Sequence, residues 1–244
     1  MKQSTLFQET VDILKLETDI PCLPEDIQGF RNRVGRMRRD DAFFHNHDNS
    51  TEGLGKVLYR YPLIQYRSVQ GQAHMVAFNE ACPSLLHLAD GDLQAQFPQA
   101  TITCYPKHGL RKQYLRLLNS DQPLRVYKVL EYKPFSNQDY ALYKRLPNFQ
   151  ARVSFLERTV ERQFRAAIRA LARVPTQEVL VQLADIDYFS KSTRVHGVAH
   201  LVCDIYIQTN VLVPDNLSIG NDVAYGFGVL IKIIGHMLFD ILVK

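Results

Sequence analysis

The apolar residues of this chain change their spacing repeatedly over its first half, and the order of those changes restricts the fold more than any other feature. Residues 11–17, VDILKLE, alternate as a strand does, and a PCLP turn follows. Pro24, Glu25 and Asp26 then suit a first helical turn, with proline where its missing N–H is harmless and carboxylates near the positive end of the helix dipole. Ile27, Phe30, Val34 and Met37 continue at helical spacing and predict a core-facing stripe. VLYRYPLIQYR (57–67) and AHMVAFN (73–79) read as two strands, Pro62 marking an edge or a bulge because it cannot donate to a ladder. EACPSLLHLAD (80–90) reads as a short helix, while ATITCY (100–105) and LRVYKVLEYKP (124–134) supply further strands. The order β, α, β, β, α, β is that of a ferredoxin-like split unit, whose four-stranded sheet leaves one face free.

A polar, tyrosine-rich connection, QDYALYKRLPN (138–148), marks the boundary region. A long helix follows, with Val153, Leu156, Val160, Phe164, Ala167, Ile168 and Leu171 on its apolar side and Arg158, Arg162, Arg165 and Arg169 along another. Beyond it the chain reads mostly as strands, at 178–188, 200–210 and 225–234. The expected fold is therefore α+β, with two ferredoxin-like (RRM-like) domains in tandem. Residues 1–136 would form the first and 137–244 a second, smaller one of related type, without a sequence repeat between them.

For 244 residues, a 46% share of hydrophobic residues and a 22% share of charged ones belong to an ordinary globular protein. The net charge of +4 announces no nucleic-acid binder by itself, so the clustering of charge matters more than the sum. Cys22, Cys82, Cys104 and Cys203 are scattered without a C-x-x-C pair, which argues against a disulfide framework or a zinc ribbon and for reduced, cytosolic thiols. The longest greasy run, 229–243, is interrupted by Lys232, His236 and Asp240, and the first residues lack an apolar signal region. The expectation is a cytoplasmic protein with no membrane partner.

The stretch FFHNHDNSTEGLGK (43–56) concentrates the chemistry, since His45 and His47 stand one residue apart just after the arginine-dense helix. Three readings are open. A metal site lacks a convincing third ligand nearby, so no metal is expected. Two exposed loop histidines of no consequence are the bland alternative. In the third reading the pair moves protons: one imidazole accepts, the other donates, and RNA supplies its own nucleophile in the ribose 2′-OH. Lys56, or an arginine between Arg36 and Arg39, would then steady the charge on the phosphate.

Arg31, Arg33, Arg36, Arg38 and Arg39 make the first helix a guanidinium patch suited to an RNA backbone, against a solvated surface as the plain alternative. In the stripe of Arg158, Arg162 and Arg165, Glu157 and Glu161 make a self-compensating surface as good a reading as an RNA track. Tyr59, Tyr61 and Tyr66 at strand spacing read as half-buried core before stacking residues, and His196 and His200 read as structural. Near the end, LSIGNDVAYGFGVL (217–230) sets Gly220, Gly226 and Gly228 around a polar turn, where they serve either a close backbone approach, to a phosphate among others, or a structural bulge.

Together, the opening LFQ and VDILKLE, the helix at 24–39, FFHNHD, YRYPLIQYRSVQGQAHMVAFNEA and LVPDNLSIGNDVAYGFGVLI resemble the CRISPR repeat-processing endoribonucleases of the RAMP superfamily. The similarity is to the branch with an H-x-H pair after the first helix. It implies two ferredoxin-like domains, metal-independent and cofactor-free cutting of precursor RNA within each CRISPR repeat, and His45 and His47 as an undivided acid and base pair. The RNA-supporting glycine loop of the family maps onto Gly220, Gly226 and Gly228. One departure is visible: relatives commonly place a basic residue after the first loop glycine, where this chain has Asn221 and Asp222. The alternative is a non-catalytic RNA-binding RAMP subunit of a CRISPR ribonucleoprotein. Other effector subunits and a homodimer stay open as partners beside the repeat RNA.

Overall fold

The computed structural model of the chain describes residues 7–45, 47–48, 56–57, 60–107, 109–195 and 198–233. Its contacts divide into two compact units: residues 11–113 with 224–226, and residues 1–10, 114–223 and 227–244.

The N-terminal unit is built from strand β1 (Gln8–Pro21), helix α1 (Ile27–Met37), the two-residue strands β2 (His47–Asp48) and β3 (Lys56–Val57), strands β4 (Ile64–Val69) and β5 (Gln72–Phe78), helices α2 (Cys82–His87) and α3 (Leu93–Gln96), and strand β6 (Ile102–Tyr105). β4, β5, β1 and β6 pair in that order, all antiparallel, with Ile64 opposite Ala77, Leu16 opposite Met75 and Leu16 opposite Cys104. With α1 and the α2–α3 segment as crossovers, this is the expected ferredoxin-like order. Alternation along β1 buries Leu14, Leu16, Thr18 and Ile20, and α1 buries Ile27, Phe30 and Val34. Phe30 meets Tyr66 edge to face at 6.1 Å between centroids.

Residues 57–67 do not form one strand as expected. Pro62 cannot donate, so the ladder starts after it at Ile64, while Leu63 uses its carbonyl to accept from Phe78 N–H at 3.0 Å. The expected helix at 80–90 runs further, through a π-helical turn at Leu88–Asp92 into α3.

The C-terminal unit contains the second part of β7 (Arg111–Leu117), strand β8 (Arg125–Tyr132), helices α4 (Asn137–Arg145) and α5 (Phe149–Leu171), and strands β9 (Val181–Val195), β10 (Val198–Thr209), β11 (Val211–Leu212) and β12 (Val229–Lys232). β12, β8, β10 and β9 pair in that order, again antiparallel. In chain order these strands are fourth, first, third and second, which repeats the ferredoxin-like arrangement. Its second crossover, between β11 and β12, carries no α-helix. It is the glycine-containing segment instead, with a single 3-10 turn at Val223–Tyr225.

Strand 124–134, grouped by sequence with the first half, is the inner strand of this second sheet: Val129 lies opposite Ile205 on one side and Leu230 on the other. Its buried Val126, Tyr127, Val129 and Tyr132 need a partner sheet that only the later residues provide. The connection at 138–148 is largely helix α4, capped by Ser136, whose hydroxyl accepts from Asp139 N–H at 3.1 Å. Among the described residues no helix is long and apolar enough to cross a membrane.

Candidate active site

Helix α1 ends where its apolar stripe ends. Arg38 leaves helical geometry, donating its N–H to the Val34 carbonyl at 3.1 Å. Its own carbonyl lies beyond the helical ladder, accepts from Asp41 N–H at 3.2 Å, and is also met by the half-buried His45 ring, with Nε2 2.8 Å from the oxygen. A nitrogen facing a carbonyl must carry the proton, so in the neutral ring Nδ1 holds the lone pair. Phe44, fully buried beside it, anchors the segment, and Arg60 ties it down through the Ala42 carbonyl at 2.7 Å and the Phe43 ring at 5.2 Å.

The His45 ring rests against α1 at Gly35. A Cβ built there would come 3.0 Å from His45 Cε1 and 3.3 Å from Nδ1, so the missing side chain at Gly35 is what lets this ring edge pack so close to the helix. The backbone then enters the small hairpin of β2 and β3, where His47 lies opposite Val57 and Asp48 opposite Lys56. His47 and Lys56 are thereby brought within two residues of each other across a ladder. The side chains of both, and Tyr59 and His196 entirely, lie outside the described residues, as does the His200 side chain.

The arginines of α1 separate into two groups. Arg31 donates to the Tyr225 hydroxyl at 3.0 Å and lies over that ring, and Arg38 holds Asp92 at 3.1 Å and Asp41 at 3.5 Å. Arg36 and Arg39 are exposed. On α5, Arg165 pairs with Glu161 at 2.7 Å and donates to the Val179 carbonyl, Arg162 reaches Asp139 at 3.4 Å, and Arg158 is exposed.

The glycine segment is held by backbone contact. Gly228, at φ +73, would put a Cβ 1.7 Å from the Ile219 carbonyl oxygen, so no side chain fits there. Gly226, at φ +89, belongs to the N-terminal unit and would put a Cβ 2.9 Å from the Tyr66 carbonyl oxygen. Gly220 packs on Tyr132 and the Lys133 carbonyl. Asn221 and Asp222, which stand where a cation was expected, face Lys133: Asn221 donates to the Lys133 and Pro134 carbonyls, and Asp222 takes the nearly buried Lys133 ammonium. Sequence reading missed this pairing, because the partners lie far apart in the chain. The role of Gly35 was missed too, since a lone helical glycine signals only a weaker helix.

The family model of the Cas6b N-terminal domain matches residues 9–102, the span that contains α1, His45, His47 and Lys56. Residues 9–102 are thus similar to Cas6b N-terminal domains. The fold agrees along the rest of the chain. A crystal structure of Cas6b shares 15% identity at a TM-score of 0.70, over 92% of this chain and 100% of that one. A second, a CRISPR RNA processing endoribonuclease Cas6b, gives 14% and 0.67 over 92% and 100%. Csf5, a type IV Cas6 crRNA endonuclease, gives 13% and 0.54 over 93% and 100%. No curated protein matches the chain by sequence. These matches agree with the resemblance read from the sequence motifs: a Cas6b N-terminal domain model over residues 9–102, and the fold of the Cas6b structures over most of the chain.

Proposed function

We propose that this chain is a Cas6-type endoribonuclease that cuts CRISPR precursor RNA within its repeats. The observation that carries the reading is the match of the Cas6b N-terminal domain over the segment that bears the histidine pair. One imidazole takes the proton from the ribose 2′-OH, the 2′-oxygen bonds to the adjacent phosphorus, and the bond from phosphorus to the 5′-oxygen breaks. The other imidazole gives its proton to the departing oxygen, leaving a 2′,3′-cyclic phosphate and a 5′-OH. Acid and base catalysis of this kind contributes about 10²–10⁴-fold. With Nε2 held on the Arg38 carbonyl, the nitrogen left to His45 for exchanging a proton is Nδ1, and the missing side chain at Gly35 sets the ring's position.

Lys56 is the nearest cation in the hairpin register to balance charge at the phosphate, and the exposed Arg36 and Arg39 at the end of α1 meet the RNA backbone. The reaction needs no metal in this scheme. The test uses the repeat RNA as substrate. Cleavage should survive EDTA, stop when a single 2′-deoxy nucleotide precedes the cut, and vanish in the His45→Ala, His47→Ala double variant. Undiminished cutting by that variant removes the site. RNA that stays whole while binding weakens with salt favours the non-catalytic subunit instead.

A further inference from the structure

The corner between α4 and α5 presents an aromatic and basic surface that the proposed cut does not use. Phe149, the first residue of α5, is 79% exposed, and Leu142 and Tyr140 on α4 are 47% and 37% exposed. The corner is rigid beneath them: Tyr143 packs on the buried Phe135 with centroids 4.6 Å apart, and Tyr140 lies nearly parallel to Tyr143, at 16°. Asn148 caps α5 by accepting from Ala151 N–H at 2.9 Å, which fixes where Phe149 starts. Arg152, one turn on and therefore on the Phe149 side of the helix, reaches the Tyr143 ring at 5.8 Å, and Lys144 lies 4.8 Å from the Tyr140 ring.

The charge is one-sided. Over residues 137–156 the cations are Lys144, Arg145 and Arg152, against Asp139 alone, whose carboxylate is paired with Arg162. None of the three cations forms a salt bridge among the described residues. A second copy of the chain docking here about a two-fold axis would bring these charges against their own equivalents, which is unfavourable. A flexible polyanion with flat faces fits both properties. Unpaired bases stack on aromatic rings without regard to sequence, while neighbouring phosphates take lysine and arginine.

We propose that this corner is a stacking platform for unpaired nucleotides of the RNA substrate, with Phe149 as the principal ring and Lys144, Arg145 and Arg152 as its phosphate contacts. The proposal rests on the RNA-processing reading above. The chain contains no tryptophan, so Phe149→Trp creates a single fluorescent reporter at the platform.

With a 2′-deoxy-blocked repeat RNA, the emission of that variant should be quenched on binding. Phe149→Ala and Phe149→Leu should each weaken binding about five- to a hundredfold, since alanine removes the ring and leucine keeps the apolar bulk without a π-face. Unchanged emission together with unchanged affinity of the alanine variant overturns the platform while cleavage by the parent still stands. If Phe149→Ala instead shifts the chain from dimer to monomer in size-exclusion chromatography with RNA affinity intact, the surface serves self-association and the proposal is wrong. Failure of the parent protein to bind or cut the RNA at all strikes the functional reading itself.

Discussion

Replacing Asp222 by asparagine should destabilise the chain more than removing its partner lysine, and removing both should restore most of the loss. The reasoning lies in unequal burial: the Lys133 side chain is 4% exposed and that of Asp222 30%. Asparagine keeps the shape and tolerates the positive φ of 56° at this position, so Asp222→Asn changes little except the charge. It strands an ammonium where water scarcely reaches. Breaking a buried pair from one side costs about 3–5 kcal/mol, and the hydrogen bond that asparagine still accepts brings this to about 2–3 kcal/mol.

Lys133→Met leaves the carboxylate, which turns to solvent, so about 1 kcal/mol is expected. At about 2–4 °C per kcal/mol for a chain of this size, Asp222→Asn should lower the melting temperature by roughly 4–12 °C and Lys133→Met by roughly 2–4 °C. The double variant, with no charge left to bury, should melt above Asp222→Asn alone. Differential scanning fluorimetry on the four proteins measures the cycle. A double variant that melts below Asp222→Asn, with the two losses simply adding, refutes the claim that the pair is coupled.

Gly35→Ala should separate stability from activity. Alanine favours the helix by about 1 kcal/mol, yet its methyl presses on His45 Cε1 and Nδ1 and displaces the ring by a few tenths of an ångström. On the proposed mechanism, single-turnover cleavage should fall by about tenfold with RNA affinity unchanged, because small misplacements at a reacting centre are costly; an unchanged rate would show that this ring edge takes no part. His74 gives a pH signature. Burial lowers its pKa below the ordinary value, with Glu17 opposite opposing the shift. The folded state therefore keeps the ring neutral, and the stability it contributes is present above about pH 6.5 and is lost as the pH falls below it. A melting temperature that declines from pH 7 to pH 5 should decline less steeply in His74→Gln, and equal slopes would contradict this.

The first sheet was legible because each of its elements carries its own apolar periodicity, and βαββαβ admits few arrangements of them. β7 escaped because RKQYLRL buries only Leu115 and Leu117 and otherwise reads as polar chain. α4 escaped for a similar reason: it buries none of its residues, although Ser136 and Asp139 spell a helix start that was there to be read. The sheet membership of residues 124–134 could not be read locally, since a strand pattern does not name its partner. The histidine pair stood out as a motif, but the seat of His45 depends on a carbonyl at Arg38 and on the missing side chain of Gly35. Neither contributes letters to a motif. The loop glycines were visible, and their nearest neighbours turned out to be this chain's own carbonyls.

One consequence follows from the membership of residues 224–226 in the N-terminal unit. Gly226 packs on the Tyr66 carbonyl and Tyr225 receives Arg31, so a module whose other residues end at Gln113 is completed by three residues, 224–226, that come much later in the chain. At about 5–20 residues per second, a ribosome needs on the order of ten seconds to travel from one to the other. During that interval the nascent module lacks the contacts that Tyr225 and Gly226 make with Arg31 and Tyr66. It is completed only once residues 224–226 have been made, which ties the readiness of the histidine-bearing unit to synthesis of the second sheet that lies between.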